Sequence, residues 1–241
     1  MPSLEGQTAV VTGASQGIGR AVALGLAAAG ASVWLLARRA DALEEVAAAV
    51  REQGGCAQAF PLDLERDEDI DRFHDALRDR GAELDVLVHS AGVHAMGPIA
   101  RTPVADLDAQ YRANVRAPYA LTQRLLPLLQ ARGGQIVFVN SSVGLAARAQ
   151  VGPFAATQHA LKAIADALRD EVNADGVRVL SVYPGRTASP RQEAIHAREG
   201  KTYRPERLMQ PADVAAVIMQ ALSMERTAEV TDLRVRPMQK P

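Results

Sequence analysis

The stretch Thr12-Gly13-Ala14-Ser15-Gln16-Gly17-Ile18-Gly19 decides how this chain folds. An apolar run over 8–11 leads into it, and an alanine-rich helical pattern over 20–29 leads out of it. Glycine lets the backbone bend sharply and come close to a ligand, because no Cβ stands in the way. The first N–H groups of the following helix have no partners within the helix and carry the positive end of its dipole. A strand, a glycine turn and a helix in this order indicate a pyrophosphate site, with an ordinary glycine turn as the alternative.

The bulk composition is that of one soluble globular domain over residues 1–241, with 48% hydrophobic and 23% charged residues. The net charge of −1 gives no reason to expect nucleic acid or an anionic membrane as a partner. An aromatic content of 4% also argues against binding single-stranded nucleic acid by base stacking. No group of His, Cys and Asp residues has the spacing of metal ligands, so no metal site is predicted.

Three further features predict a cytoplasmic protein. The single cysteine, Cys56, cannot form an internal disulfide and is expected to pack beside the neighbouring strand. Residues 1–7 are too few and too polar for a signal peptide. The uncharged run over 21–37 is shorter than a typical membrane span, and Gly30 divides it into a helix and a strand.

Short β-rich runs alternate with helical patterns along the whole chain. The predicted strands are 8–12, 32–37, 57–61, 85–90, 135–140, 177–183 and 229–235. The predicted helices are 17–29, 41–53, 67–80, 104–131, 153–174 and 211–223. This alternation implies right-handed crossovers and a parallel sheet covered by helices on both faces. The predicted fold class is therefore α/β, a single Rossmann-type doubly wound sheet of about seven strands, with ligands at the carboxyl ends of the strands.

The ends of the second and third predicted strands carry charged residues that bear on the nucleotide. Arg38 and Arg39 follow Ala37 at the end of the second strand. Folds that bind NAD place an acidic residue near this point for the ribose 2′-hydroxyl, whereas arginine suits the 2′-phosphate of NADP. The two arginines therefore favour NADP(H), with solvated residues at a helix start as the alternative. Asp63 is placed either to accept a hydrogen bond from an adenine amino group or to cap the helix near Asp67.

Taken together, these motifs make the whole chain resemble the short-chain dehydrogenase/reductase family. The matching motifs are Thr12-Gly13-x-x-x-Gly17-x-Gly19, Asp63, Ser90-Ala91-Gly92, Asn114 with Val115, Ser141-x-x-Gly144 and Tyr183-Pro184-Gly185. The resemblance implies reversible hydride transfer between NADP(H) and a small carbonyl or alcohol. The cofactor contacts it implies are Gly13, Ser15, Gln16, Gly17, Ile18, Gly19, Arg38, Arg39, Asp63, Leu64, Ser90, Ala91, Gly92, Gln158, Pro184, Gly185 and Thr187.

The family works with an Asn, a Ser, a Tyr and a Lys, the last two placed four residues apart on one helix. The Tyr donates a proton to the carbonyl oxygen, and the nearby ammonium lowers its pKa from an ordinary value of about 10. Asn114 and Ser141 match the Asn and the Ser, with Ser142 as the near alternative. Phe154 stands at the Tyr position and Gln158 at the Lys position.

These two replacements predict a degenerate catalytic site. Phe154 has no proton to donate, and Gln158 can hydrogen-bond ribose hydroxyls but carries no charge. Loss of a general acid typically costs about 10²–10⁴ in rate. The chain is then either an oxidoreductase with an unfamiliar donor, such as water held by Ser141, or a catalytically inactive NADP(H)-binding protein that serves as a sensor or partner subunit. His89 and Ser90 also stand where the family usually has two asparagines. This further departure favours natural divergence at positions 154 and 158 over a laboratory variant.

Four other side chains are candidates for the missing proton donor, although each residue type is more often packed or solvated. They are His89, His94, Tyr183 and Tyr203. His159 is not a candidate, because neighbouring residues on a helix point in different directions.

The resemblance also predicts the substrate side of the site and the assembly. Thr187 and Ser189 are the hydroxyl candidates near the nicotinamide carboxamide. The segment 186–210 is expected to be a substrate lid, and its arginines favour an acidic ligand or the cofactor phosphates, with a solvated helix as the alternative. The family's usual pairing of the helices over 104–131 and 153–174 implies a homodimer or homotetramer.

Overall fold

The computed structural model describes residues 3–81 and 83–239. The strands in these ranges are β1 Thr8–Thr12, β2 Ser32–Ala37, β3 Cys56–Pro61, β4 Val86–His89, β5 Gln135–Val139, β6 Arg178–Pro184 and β7 Asp232–Val235. They form one sheet of order β3-β2-β1-β4-β5-β6-β7, in which each neighbouring pair is parallel. The predicted doubly wound α/β fold is confirmed.

The helices lie between the strands, as the alternating pattern predicts. They are α1 Gly17–Ala28, α2 Ala40–Glu52, α3 Asp67–Asp79, α4 Val104–Tyr111, α5 Ala117–Gln130, α6 Gly152–Val172, α7 Pro190–Arg198 and α8 Pro211–Leu222. The single helix predicted over 104–131 is divided by a π-helical turn at Arg112–Arg116. Helix α7 lies within the predicted lid segment. No helix in the described ranges is both long enough and apolar enough to cross a membrane.

The sheet buries both of its faces because successive strand residues point in opposite directions. Val11 and Val33 belong to the core on the face covered by α1, α2 and α8. Val10 and Trp34, their neighbours in sequence, belong to the core on the face covered by α3, α5 and α6. Two buried faces explain why the central strands are apolar throughout rather than alternating.

The topology places a crevice at one edge of this sheet. After β3 the chain crosses to the other side of β1, so that the strand order reverses between β1 and β4. Loops that follow adjacent strands diverge at such a point and leave room for a ligand at the carboxyl ends.

At the opposite end of β3, Cys56 is exposed. The expectation that Cys56 is packed is wrong, because it begins a strand at the edge of the sheet.

Candidate functional site

One cleft of about 490 Å³ opens at the carboxyl ends of the strands and is lined by the loops that follow β1 to β6. It brings together nearly all the residues that the sequence singles out. Those lining it are Gly13, Ser15, Gln16, Gly17, Ile18, Arg38, Arg39, Asp63, Leu64, Ser90, Ala91, Gly92, Asn114, Ser141, Ser142, Phe154, Gln158, Pro184, Gly185, Thr187 and Ser189. Gly19 is not among the lining residues.

The turn after β1 packs tightly against the end of β4. The Thr12 hydroxyl accepts hydrogen bonds from the backbone N–H groups of Ser90, at 3.0 Å, and Ala91, at 3.1 Å. Gly13 has a φ of +65°, and a Cβ there would lie 2.8 Å from the Ala91 nitrogen. A Cβ at Gly19 would collide with the Gly13 carbonyl. The missing side chain at Gly19 therefore allows α1 to pack against the turn, on a side of the turn that does not line the cleft.

The amino end of α1 faces the cleft with its N–H groups free of side-chain caps. Gln16, the N-cap residue, makes no side-chain capping bond, and the first turn carries no acidic residue. Gly17, at a φ of +57°, has open space within 4 Å of the position that a Cβ would take. Free N–H groups, the helix dipole and an open approach together fit a phosphate group.

The end of β2 presents positive charge to the same cleft. Arg38 and Arg39 both line it and are exposed, whereas Ala37 contributes only a methyl group. Within residues 3–81 and 83–239, neither arginine forms an ion pair with a carboxylate. Two unpaired guanidinium groups suit a bidentate contact with a phosphate.

Asp63 lies at the cleft but does not cap α3. Its carboxylate accepts a hydrogen bond from the Glu65 N–H at 3.1 Å, while its own N–H donates to the Asp69 carboxylate at 2.8 Å. The N-cap residue of α3 is Arg66. The capping alternative is therefore wrong, because the carboxylate closes a local turn before the helix begins.

Asn114 connects three elements beneath the cleft. It lies in the π-helical turn, a feature that often marks functional sites, and is 3% exposed. Its amide accepts from the Val93 N–H at 2.8 Å and donates to the Val93 carbonyl at 2.9 Å and the Thr157 hydroxyl at 3.1 Å. A Cβ at Gly92 would lie 2.9 Å from the Asn114 oxygen. The glycine after β4 is thus required for the loop to reach this amide.

Ser141 is held at the cleft by the neighbouring Asn140. The Asn140 side chain accepts from the Ser141 N–H at 2.7 Å and donates to the Gln158 carbonyl at 2.9 Å. A Cβ at Gly144 would lie 3.1 Å from that same carbonyl and would collide with the Asn140 amide. The Ser-x-x-Gly pattern therefore lets α6 pack closely on the loop after β5. The Ser141 hydroxyl accepts only a long bond, 3.4 Å, from the Val143 N–H.

Phe154 and Gln158 both lie on the face of α6 that lines the cleft. Phe154 is half-buried and contacts His94 edge-on, with ring centroids 4.4 Å apart. Burial, together with the charges of Arg191, Arg198 and Arg148, lowers the pKa of His94 to about 4. The imidazole is therefore neutral near pH 7, where it can donate a hydrogen bond but is a poor source of a full proton.

Of the remaining donor candidates, Tyr183 and Tyr203 lie outside the cleft lining and His89 is buried at its border. Tyr183 is 1% exposed and does not line the cleft, and burial raises the pKa of its hydroxyl. The Tyr203 hydroxyl accepts from the Ser189 N–H at 3.2 Å, outside the cleft lining. His89 borders the cleft but is 4% exposed, with its ring 2.8 Å from the Thr122 hydroxyl.

The hydroxyl groups after β6 serve local structure. The Thr187 hydroxyl donates to the Gly185 carbonyl at 3.2 Å. Ser189 is the N-cap of α7, where its hydroxyl accepts from the Gln192 N–H at 3.1 Å. Both nevertheless border the cleft. A Cβ at Gly185 would lie 3.1 Å from the Pro237 side chain, so the glycine lets the two segments pack closely.

His89 provides a test of the electrostatics at the end of β4. Burial lowers the pKa of its imidazole to about 3, against an ordinary value of 6.5. The unfolded chain therefore binds an extra proton below pH 6.5, and the folded chain loses stability as the pH falls. In urea unfolding, we expect the unmodified chain to lose about 3 kcal/mol more between pH 6.5 and pH 4 than the variant His89→Asn. Equal losses in the two proteins would contradict the burial of a neutral imidazole.

Arg148 and Arg191 also line the cleft. Arg191 belongs to the segment 186–210, whose arginines were predicted to favour an acidic ligand, whereas no motif of the sequence indicated Arg148. Arg148 follows the Ser-x-x-Gly motif by four residues, so its place in the loop after β5 was the available signal. No group of three or more potential metal ligands occurs in the described ranges.

Comparison with known proteins places the chain among dehydrogenases of similar length. The family model for short chain dehydrogenases matches residues 7–200. The chain is 32% identical to the short-chain type dehydrogenase/reductase y4eK of Sinorhizobium fredii, over 96% of this chain and 91% of that protein. A protein described as a short-chain dehydrogenase of Shigella flexneri, solved with NADP, has a TM-score of 0.89 at 32% identity, covering 96% and 97% of the chains. An alcohol dehydrogenase of Thermococcus sibiricus, solved with 5-hydroxy-NADP, has a TM-score of 0.87 at 26% identity over 98% of each chain.

Proposed function

The chain belongs to the short-chain dehydrogenase family, and from this we propose that it is an NADP(H)-dependent oxidoreductase acting on a small carbonyl or alcohol through a degenerate catalytic site. The observation that carries the proposal is that one cleft joins the glycine turn, the arginines after β2 and the four positions of the family's catalytic groups. Those four positions hold Asn114, Ser141, Phe154 and Gln158.

NADP(H) is the cofactor that fits the chain's own residues. The free amino end of α1 suits the pyrophosphate, and Arg38 and Arg39 suit the 2′-phosphate, with no carboxylate at Ala37 to repel it. The relatives from Shigella flexneri and Thermococcus sibiricus were solved with NADP and with 5-hydroxy-NADP, which supports the same choice. When bound, the cofactor supplies or accepts the hydride.

The remaining residues would position substrate and manage the proton. Asn140 holds the backbone N–H of Ser141, and the Ser141 hydroxyl lines the cleft, where its O–H can donate a hydrogen bond to a carbonyl oxygen. Asn114 uses its amide to hold the loop after β4 and α6 together, which fixes the wall of the cleft. Phe154 excludes water beside the reacting carbon but holds no proton. Because Phe154 cannot act as a general acid, water hydrogen-bonded to Ser141 would supply the proton.

The alternative function is a catalytically inactive NADP(H)-binding protein, acting as a sensor or partner subunit. The observation in its favour is that the glycine turn and the arginines after β2 line the cleft, whereas the family's phenol and ammonium are replaced by Phe154 and Gln158. Incubation of the unmodified protein with NADPH and a panel of aldehydes and ketones separates the two. Saturable NADPH oxidation supports the oxidoreductase, and NADPH binding without turnover supports the binding protein.

The lid and the assembly complete the proposal. Segment 186–210 is proposed to close over the substrate: Arg186 pairs with Glu199 through two 2.7 Å bonds, and Arg191 donates to the Gly92 carbonyl at 2.5 Å across the cleft.

A homodimer or homotetramer through α4, α5 and α6 is supported by the exposed side chains of Val104, Tyr111 and Tyr119, at 72%, 53% and 51%. Light scattering on the eluting protein tests the assembly. A cytoplasmic location belongs to the same proposal and suits a lone exposed cysteine.

A further inference from the structure

The substrate end of the cleft carries two arginines from different loops. Arg148 comes from the loop after β5, and Arg191 comes from the first turn of α7, after β6. Because β5 and β6 are adjacent, the two loops lie side by side at the same edge of the sheet. Arg148 and Arg191 line the same cleft as His94 and Phe154, whose rings are in contact. Arg191 also donates to the carbonyl of Gly92, two residues before His94. The two arginines therefore border the place where a substrate would meet the nicotinamide.

Neither Arg148 nor Arg191 forms an ion pair with a carboxylate of the described ranges. The Glu199 carboxylate, whose charge also acts on His94, is paired with Arg186 and Lys201 instead. The carboxylates that line the cleft, Asp63 and Glu65, belong to the loop after β3. Strand β3 is four strands away from β5, or about 19 Å at the usual spacing. That distance exceeds the Debye length of about 8 Å at physiological ionic strength.

The positions of these arginines distinguish them from the groups that fit the cofactor phosphates. The pyrophosphate suits the amino end of α1, after β1, and the 2′-phosphate suits the arginines after β2. Arg148 and Arg191 follow β5 and β6, on the far side of β4 from both. Arg191 uses one N–H on the Gly92 carbonyl and keeps other donors in its planar fork.

We propose that Arg148 and Arg191 bind a carboxylate of the substrate, so that the substrates of this chain are oxo acids and their hydroxy acids. The inference rests on the proposed function and adds its substrate class. A guanidinium matches a carboxylate with two parallel hydrogen bonds, and two such groups flanking one pocket select against a neutral analogue. His94 and Phe154 supply the wall between this carboxylate and the reacting carbonyl.

The test is equilibrium binding to the protein loaded with NADP⁺, which has no hydride to give, so no turnover interferes. The probes are acetoacetate and 4-oxopentanoate, each compared by calorimetry with its neutral methyl ester. We expect each acid to bind at least tenfold more tightly than its ester. Arg148→Gln and Arg191→Gln are each expected to weaken acid binding by about 10- to 100-fold, while ester binding stays unchanged. Arg78→Gln, which removes an exposed arginine of α3, is the matched control and should change neither.

Three outcomes would overturn the inference. The first is equal affinity of acid and ester, and the second is unchanged acid binding in both variants. The third is weakened NADPH binding in the variants with no effect on the acids, which assigns these arginines to the cofactor. The same titrations are run without nucleotide, and NADPH binding is measured separately. Failure to bind NADPH contradicts the proposed function. If NADPH binds but the acid and its ester bind with equal affinity, only the carboxylate site is contradicted.

Discussion

Replacing Phe154 by Tyr and Gln158 by Lys together is expected to raise the rate of carbonyl reduction by NADPH about 10²–10⁴-fold. Both positions lie on the cleft face of α6, four residues apart, so the new phenol and ammonium would enter the same space. The Asn114 and Ser141 scaffold is already in place around them. The phenol restores a proton donor, and the ammonium lowers its pKa from an ordinary value of about 10.

Matched variants isolate the role of the charge. Phe154→Tyr alone, and Phe154→Tyr with Gln158→Met, add the phenol without the ammonium and are expected to recover only a small part of the gain. The two sites touch the same reaction, so their effects should be strongly non-additive. Steady-state NADPH oxidation is measured alongside the NADPH dissociation constant, which should change little between unmodified and double-variant protein. Equal turnover in those two proteins would contradict the degenerate site.

The second large effect is expected in cofactor preference. The triple variant Ala37→Asp/Arg38→Ala/Arg39→Ala removes both guanidinium groups at the end of β2 and adds a carboxylate. Loss of charge-assisted bonds to the 2′-phosphate, with repulsion from the new carboxylate, should lower the preference for NADPH over NADH by about 10²-fold.

Paired fluorescence titrations with NADPH and NADH measure this preference. Arg78→Ala serves as the control for loss of an exposed positive charge, and it should leave the ratio of dissociation constants unchanged. A ratio that stays the same in the triple variant would show that the arginines after β2 are solvated, as the alternative interpretation of the sequence holds.

The architecture was predictable because periodicity and glycine placement are local. The strands over 8–12 and 32–37 have the same bounds in the sequence pattern and in the structure, since glycine turns and helical patterns interrupt the apolar runs. The π-helical turn at Arg112–Arg116 was not predictable in this way. Its backbone keeps helical dihedrals, and the apolar spacing continues through it, while Asn114 within it bonds to a distant loop.

The site shows the same division between local and long-range information. The motifs indicated which loops would line the cleft, and the structure brings those loops together. The surroundings of Tyr183 depend instead on packing between distant elements, which no local pattern reports, and the residue is buried outside the cleft. The place of Arg148 in the cleft was not predictable from a local motif, because it depends on the adjacency of β5 and β6 in the sheet.

The cleft is expected to bind NADP(H) although the Tyr and Lys of the family's proton relay are replaced, and cofactor binding is the most direct measure of this expectation. Fluorescence titration of the unmodified protein with NADPH and with NADH needs no knowledge of the substrate. We predict saturable NADPH binding at one site per chain, tighter than NADH binding by about 10²-fold because of the arginines after β2. Absence of saturable NADPH binding, or equal affinity for the two nucleotides, would contradict the account.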